Sequence, residues 1–236
     1  MKFGSPKYVG DPINAVRIFN EKEVDELIVL DIDATAHGAE PNYAMIQRLA
    51  AECRMPLCYG GGVKTVEQAQ RIIRLGVEKV ALSSAAIDTP DLLPQLAERI
   101  GSQSVVAVLD CWRDSSTGTT EVCLVNGTRH TGRSPVDVAR DLERLGVGEI
   151  VLNSIDRDGG MSGYDIDLID QVRDAITVPI TALGGAGSLK DIGALIARFG
   201  IIGAAAGSLF VFKGVYRAVL INYPNYAQKL ALTATS

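Results

Sequence analysis

The sequence predicts a (β/α)8 barrel made of two similar halves. Three observations lead there. Seven strand-like apolar runs alternate with amphipathic helical segments. The runs are continuously apolar rather than alternating. The first half of the chain also recurs in the second.

The apolar runs fall at 26–30, 56–59, 79–82, 104–109, 149–152, 178–183 and 201–205. Continuous apolar character is expected of parallel strands covered by helices on one face and packed into a barrel interior on the other. Helical segments are expected at 12–20, 42–52, 66–75, 90–100, 135–145, 167–175 and 189–199, with 214–222 as the last. Asp11-Pro12, Thr89-Pro90 and Ser134-Pro135 are helix-start signals, and Gly76, Gly146 and Gly200 stand where helices should stop.

An open doubly wound sheet would share these features, and the repeat separates the two. An ungapped shift of 123 residues lays Pro12 on Pro135, Arg17 on Arg140, Val24 on Val147, Glu26 on Glu149 and Asp33 on Asp156. With one added residue, Gly60-Gly61 falls on Gly184-Gly185 and Ser84 on Ser208. Two four-unit halves close naturally into eight strands. The whole of 1–236 is therefore expected to be one barrel domain, with half-barrels of about 1–103 and 104–236. The same shift carries the strand ending at Asp110 to a point before residue 1. The repeat thus implies that the barrel's first strand is not in this sequence, and that residues 1–10 correspond to the loop after it.

Composition narrows the function. A formal charge of -5 gives no basic footprint for nucleic acid or an anionic membrane. No apolar run of membrane-spanning length and no leader pattern is seen, so a cytoplasmic protein is expected. Cys53, Cys58, Cys111 and Cys123 show no metal-ligand spacing, and neither a metal nor a disulfide is expected.

In such barrels chemistry gathers at the C-terminal ends of strands. Gly60-Gly61-Gly62 and Gly184-Gly185-Ala186-Gly187 follow strands and precede helices. Backbone N–H groups can there approach an oxyanion, although a tight turn alone would also use these glycines. Ser83-Ser84 and Gly207-Ser208 end the next strand of each half and supply further donors. The pairing, twice over, describes two phosphate sites across one barrel mouth, built from N–H groups and helix dipoles without an obligatory Lys or Arg. Asp110 ends a strand and is a candidate general acid/base, or else a capping or surface carboxylate. In the 154–160 loop, Asp158 and Gly159 are candidates for substrate hydroxyls, while Asp156 and Arg157 suit either contact or an ion pair that shapes the loop. Asp31 and Asp33 are their first-half counterparts. His37 and His130 lie in loops and receive no role. Residues 119–130, with Asn126-Gly127 inside, read as an inserted hairpin.

From about residue 11 to 212 the chain resembles the cyclase subunit of imidazole glycerol phosphate synthase, of histidine biosynthesis. The stretches that carry the likeness are 26–31 (ELIVLD), 59–62 (YGGG), the Ser-Ile-Asp-Arg-Asp-Gly run within 149–164, and 184–187 (GGAG). The resemblance implies ammonia addition to a bis-phosphorylated ribulosyl aminoimidazole carboxamide nucleotide and closure of the imidazole ring. The ammonia would come from a glutaminase partner at the barrel's N-terminal face, with no metal or organic cofactor. By position it makes Asp110 one of two catalytic aspartates, and assigns Gly61, Gly62, Ser84, Gly185, Gly207 and Ser208 to phosphate. Asp158 and Gly159 match the substrate loop. Glu26, Lys79 and Glu149 match an ammonia gate, where ordinary ion pairs are the alternative. Three positions depart from the pattern. An Asn-Thr pair is Ser83-Ser84 here, a usually basic residue is Trp112, and an expected threonine is Asn153. The other catalytic aspartate and a fourth gate residue belong to the absent strand. These departures fit a related branch that passes ammonia to a surface-sugar amidotransferase without cyclising. The pathway's sugar-phosphate isomerase is a more distant likeness.

Overall fold

The continuous apolar runs form one parallel sheet. The computed structural model describes residues 7–233, so part of the segment expected to be the loop after a first strand, residues 1–6, lies outside the described residues. In chain order the first half runs α1 (Pro12–Glu21), β1 (Leu27–Leu30), α2 (Ile32–Ala36), α3 (Tyr43–Glu52), β2 (Leu57–Gly60), α4 (Val66–Arg74), β3 (Lys79–Leu82), α5 (Ser84–Asp88) and α6 (Leu92–Ile100). The second half opens with β4 (Val105–Arg113), β5 (Thr120–Leu124), β6 (Arg129–His130), α7 (Pro135–Arg144), β7 (Glu149–Ser154) and α8 (Ile166–Arg173). It continues with β8 (Ile180–Leu183), α9 (Leu189–Phe199), β9 (Gly203–Ala204), α10 (Ser208–Val211), β10 (Phe212–Lys213), β11 (Ala218–Val219) and α11 (Tyr226–Thr233).

The strand order β1-β2-β3-β4-β7-β8-β9 is parallel throughout, which is the expected α/β barrel architecture. Among the described residues β1 and β9 are the edges of this path. The repeat is visible locally. Asp11 and Ser134 cap α1 and α7 through backbone N–H groups, each followed by a proline in the first turn. α4 and α9 both start with a capping box, Thr65 with Gln68 and Ser188 with Asp191.

The sheet separates two apolar layers, as a barrel requires. Leu57, Val80, Val105, Ala107, Ile150, Leu152 and Ile180 pack outward against helix residues such as Ile46, Ile72, Leu93 and Leu142. Cys58, Ala81, Val106, Val108 and Val151 form a second, smaller cluster facing inward. Because successive strand residues alternate between faces, both layers come from the same short runs.

Two elements differ from expectation. β4 continues past residue 109 to Arg113 because Asp110–Arg113 pair antiparallel with β5, so the inserted hairpin extends the strand. Residues 214–222 are not a helix. Gly214 and Arg217 both adopt positive φ (72° and 50°), which turns the chain into the β10–β11 hairpin, and the last helix begins only at Tyr226. All four cysteines are free. Among the described residues no helix is long and apolar enough to cross a membrane.

Candidate active site

Strand alternation sets the site. Residues two apart share a face, so three inward columns run from one end of the sheet to the other: Lys79–Ala81–Ser83, Val106–Val108–Asp110 and Glu149–Val151–Asn153. Two lower members, Lys79 and Glu149, are charged while Val106 is apolar; the middles are small and apolar, and the upper members are polar.

At the upper, C-terminal end lies a cavity of about 1040 Å³. It is lined by Asp110, Asn153, Asp158, Gly159 and the strand ends Gly60–Gly62, Ser83–Ser84 and Gly207–Ser208. Asp110 accepts a hydrogen bond from Asn153 Nδ2 at 2.8 Å. Burial pushes its carboxyl up to about 6, aided by the nearby Asp158 charge and opposed by the Asn153 hydrogen bond. Burial also raises Asp158 above the ordinary carboxylate range. Asn153 is buried, and its Oδ1, itself closed to solvent, has no hydrogen-bond partner among the described residues.

The two serine ends are held alike. Ser84 Oγ accepts from Val125 N at 3.2 Å, in the β5–β6 turn, and Ser208 Oγ accepts from Arg217 Nη2 at 3.2 Å, in the β10–β11 turn. Each hydroxyl keeps its own proton to donate. Sequence reasoning missed the cations here. Arg217, Lys7 and Lys64 line the same cavity, and Lys7 Nζ donates to Arg217 O at 2.8 Å. Lys64 stood legible two residues after Gly62. Lys7 and Arg217 are 210 residues apart, and nothing local marks them as neighbours.

At the opposite end, Lys79 Nζ lies 2.9 Å from Glu26 and 2.7 Å from Glu149, whose other oxygen accepts from Thr181 Oγ1 at 2.7 Å. Burial opposes the Lys79 charge, but the two carboxylates outweigh it and raise the ammonium above its ordinary range. Glu26, Lys79 and Glu149 are thus brought together.

Gly184 and Gly185 are not among the cavity-lining residues. Gly163 N donates to Gly185 O at 2.8 Å, and a β-carbon on Gly185 would collide with Gly163 O. Gly185 seats the 156–163 turn, which carries Asp158 and Gly159 to the cavity, while Gly184 lies against Ser154 at the end of β7. Asp156 accepts from Arg113 N at 2.7 Å, while Arg157 donates to Gly163 O at 3.2 Å and lies 3.7 Å from Asp165. Both shape the loop. In the first half Asp31 caps α2 through the N–H groups of Asp33 and Ala34. At Gly61, with φ 120°, a β-carbon would collide with Asp31 O. Gly185→Ala, at φ 107°, is expected to cost roughly 1–3 kcal/mol in chemical denaturation and to weaken ligand binding by displacing Asp158.

The family model described as "Histidine biosynthesis protein" matches residues 1–217. A Leptospira borgpetersenii protein named "Putative imidazole glycerol phosphate synthase subunit HisF" is 56% identical over 232 residues, covering 98% of this chain and 91% of the relative. A Pseudomonas aeruginosa protein, "Putative imidazole glycerol phosphate synthase subunit hisF2", is 55% identical over 95% of this chain and 89% of its own length. The Streptococcus sanguinis "Imidazole glycerol phosphate synthase subunit HisF" is 39% identical over 88% of this chain and 82% of its own. The chain belongs to the histidine biosynthesis protein family.

Proposed function

We propose that the chain is the cyclase subunit of an imidazole glycerol phosphate synthase. It would act in the cytoplasm with a glutaminase partner docked at the N-terminal face. The observation that carries this reading is the placement of the Asp110 carboxyl, pushed up to about 6 by burial, at the cavity end of an inward face that begins at the Lys79 cluster.

Two serine ends, each with cations nearby, suit a substrate phosphorylated at both ends. Ser84 with Gly61, Gly62 and Lys64 would hold one phosphate. Ser208 with Gly207, Arg217 and Lys7 would hold the other. The proposal thereby adds cations to a site expected to rely on N–H groups. Asp158 would take donors from the middle of the substrate. Ammonia nitrogen adds to the ketone carbon, whose oxygen leaves as water, and the ring closes when that nitrogen attacks the amidine carbon, whose other C–N bond breaks to release the carboxamide ribotide as an amine. That oxygen must gain protons and the nitrogen must lose them. An acid/base of pKa near 6 can do both near neutral pH.

The lower end suits a gate. Lys79, salt-bridged to Glu26 and Glu149, would plug the lower entrance, and the apolar middle of Cys58, Ala81, Val106, Val108 and Val151 disfavours hydrated ions more than neutral ammonia. The test is turnover of the bis-phosphorylated nucleotide by full-length protein supplied with an ammonium salt. Imidazole product is expected, and none from folded protein would overturn the reading.

One observation favours a second reading. Relatives 54–56% identical have names that begin with "Putative", whereas those named without that word stand at 35–39%. Together with Trp112 and Asn153, this suits a subunit that passes ammonia to a surface-sugar amidotransferase without cyclising. Glutamine-driven amidation of a sugar by an added ligase, with no imidazole product, is the result that selects it.

A further inference from the structure

The hairpin beside Asp110 carries chemistry that neither the cavity nor the lower cluster uses. β4, β5 and β6 form an antiparallel ribbon. Trp112 pairs with Glu121 across β4–β5, and Cys123 pairs with His130 across β5–β6. Glu121 and Cys123 are two apart on one strand, and directly opposed residues share a face, so Trp112, Glu121, Cys123 and His130 lie together.

Their atoms converge. His130 Nδ1 is 2.7 Å from Glu121 Oε1 and 3.6 Å from Cys123 Sγ, and one ligand atom from each residue fits within 4.8 Å of the others. Both neighbours address the same ring nitrogen. A nucleophile–base–acid relay would use opposite nitrogens, one for each partner. Convergence on a single point is the geometry of ligands. A tetrahedral zinc(II) with a Zn–S bond of about 2.3 Å and a Zn–N bond of about 2.0 Å separates sulfur from nitrogen by about 3.5 Å, close to the spacing present. The carboxylate, now at hydrogen-bond distance, needs to retreat only to about 3.3 Å from the nitrogen.

The ligands are also held. Cys123 is fully buried in the ladder. Gly132 N donates to Glu121 Oε2 at 2.7 Å, which fixes the carboxylate and leaves Oε1 toward the point of convergence. Trp112 meets the His130 ring edge-on, with centroids 4.8 Å apart. His130 is about half exposed, so water can complete the fourth position.

We propose that Glu121, Cys123 and His130 form a zinc(II) site that fastens the β5–β6 hairpin over the barrel mouth. One nitrogen, one sulfur and one oxygen donor suit this borderline ion. The consequence reaches the cavity through the turn. Val125 N donates to Ser84 Oγ, Asn126 Nδ2 donates to Ile32 O at 2.7 Å, and both residues line the cavity. This inference does not depend on which reaction the barrel carries out.

The test titrates cobalt(II), and then zinc(II), into the full-length protein with magnesium in excess. Uptake of one cobalt per chain with a near-ultraviolet thiolate-to-metal band is expected, and zinc should displace it. Cys123→Ser should lose the band. His130→Ala, altering a half-exposed side chain, should fold and bind cobalt at least about tenfold more weakly. No thiolate band in folded wild-type protein, a band that persists in Cys123→Ser, or unchanged affinity in His130→Ala would each overturn the proposal.

Discussion

Asp110→Asn is expected to lower ring-closing turnover by about 10²–10⁴-fold while leaving affinity for the bis-phosphorylated nucleotide nearly unchanged. The amide keeps the shape and still accepts from Asn153 Nδ2, but it cannot exchange a proton. Measured with an ammonium salt, the loss is independent of any glutaminase. The wild-type pH–rate profile should also carry a limb near 6 that the variant lacks. Stability should move the other way. Burial raises the folded carboxyl from 3.8 to about 6, so between those values the folded chain holds a proton that the unfolded chain has released. Stability therefore falls as pH rises through that window and stays lower above it. Asp110→Asn removes this cost and should be more stable than wild type by on the order of 1–3 kcal/mol at about pH 8, with the difference vanishing below about pH 4. A variant both inactive and stabilised marks a residue kept for chemistry. A variant with full turnover would remove Asp110 from the reaction.

Lys79→Met is expected to separate the two ways of supplying ammonia. Turnover driven by glutamine through a partner should fall by about tenfold or more, while turnover driven by an ammonium salt should change little. Without the ammonium group, Glu26 and Glu149 face each other unneutralised, and Glu149 keeps only its Thr181 hydrogen bond among those described. Stability should drop by roughly 1–2 kcal/mol, a modest loss because water reaches part of each side chain. Equal losses with both nitrogen sources would indicate a structural ion pair and not a gate.

Much of this architecture was legible in the chain. Continuous apolar runs mark strands buried on both faces, and every parallel strand falls on one of them. The duplicated Asp11-Pro12 and Ser134-Pro135 caps mark the same helix in each half. What was not legible depended on pairing across distance. β4 runs on to Arg113 because β5 folds back on it, and a run ending at Leu109 gives no sign of this. Residues 214–222 look helical by spacing, but Gly214 and Arg217 turn them into a hairpin. That hairpin brings Arg217 to Ser208. Gly184 and Gly185 read as phosphate contacts, yet the missing side chain of Gly184 makes room for Ser154 at the end of β7 and that of Gly185 for the backbone of the 156–163 turn. Glu121, Cys123 and His130 have no motif spacing, and only strand register unites them.

In the proposed function, one barrel mouth holds a substrate by two phosphates with Asp110 between them. Calorimetric titration of the bis-phosphorylated nucleotide, and of the two analogues lacking one phosphate each, tests it most directly. One site per chain is expected, weakened by at least about tenfold when either phosphate is removed, the equivalent of about 1.4 kcal/mol per phosphate. Equal affinity for all three ligands would contradict the account.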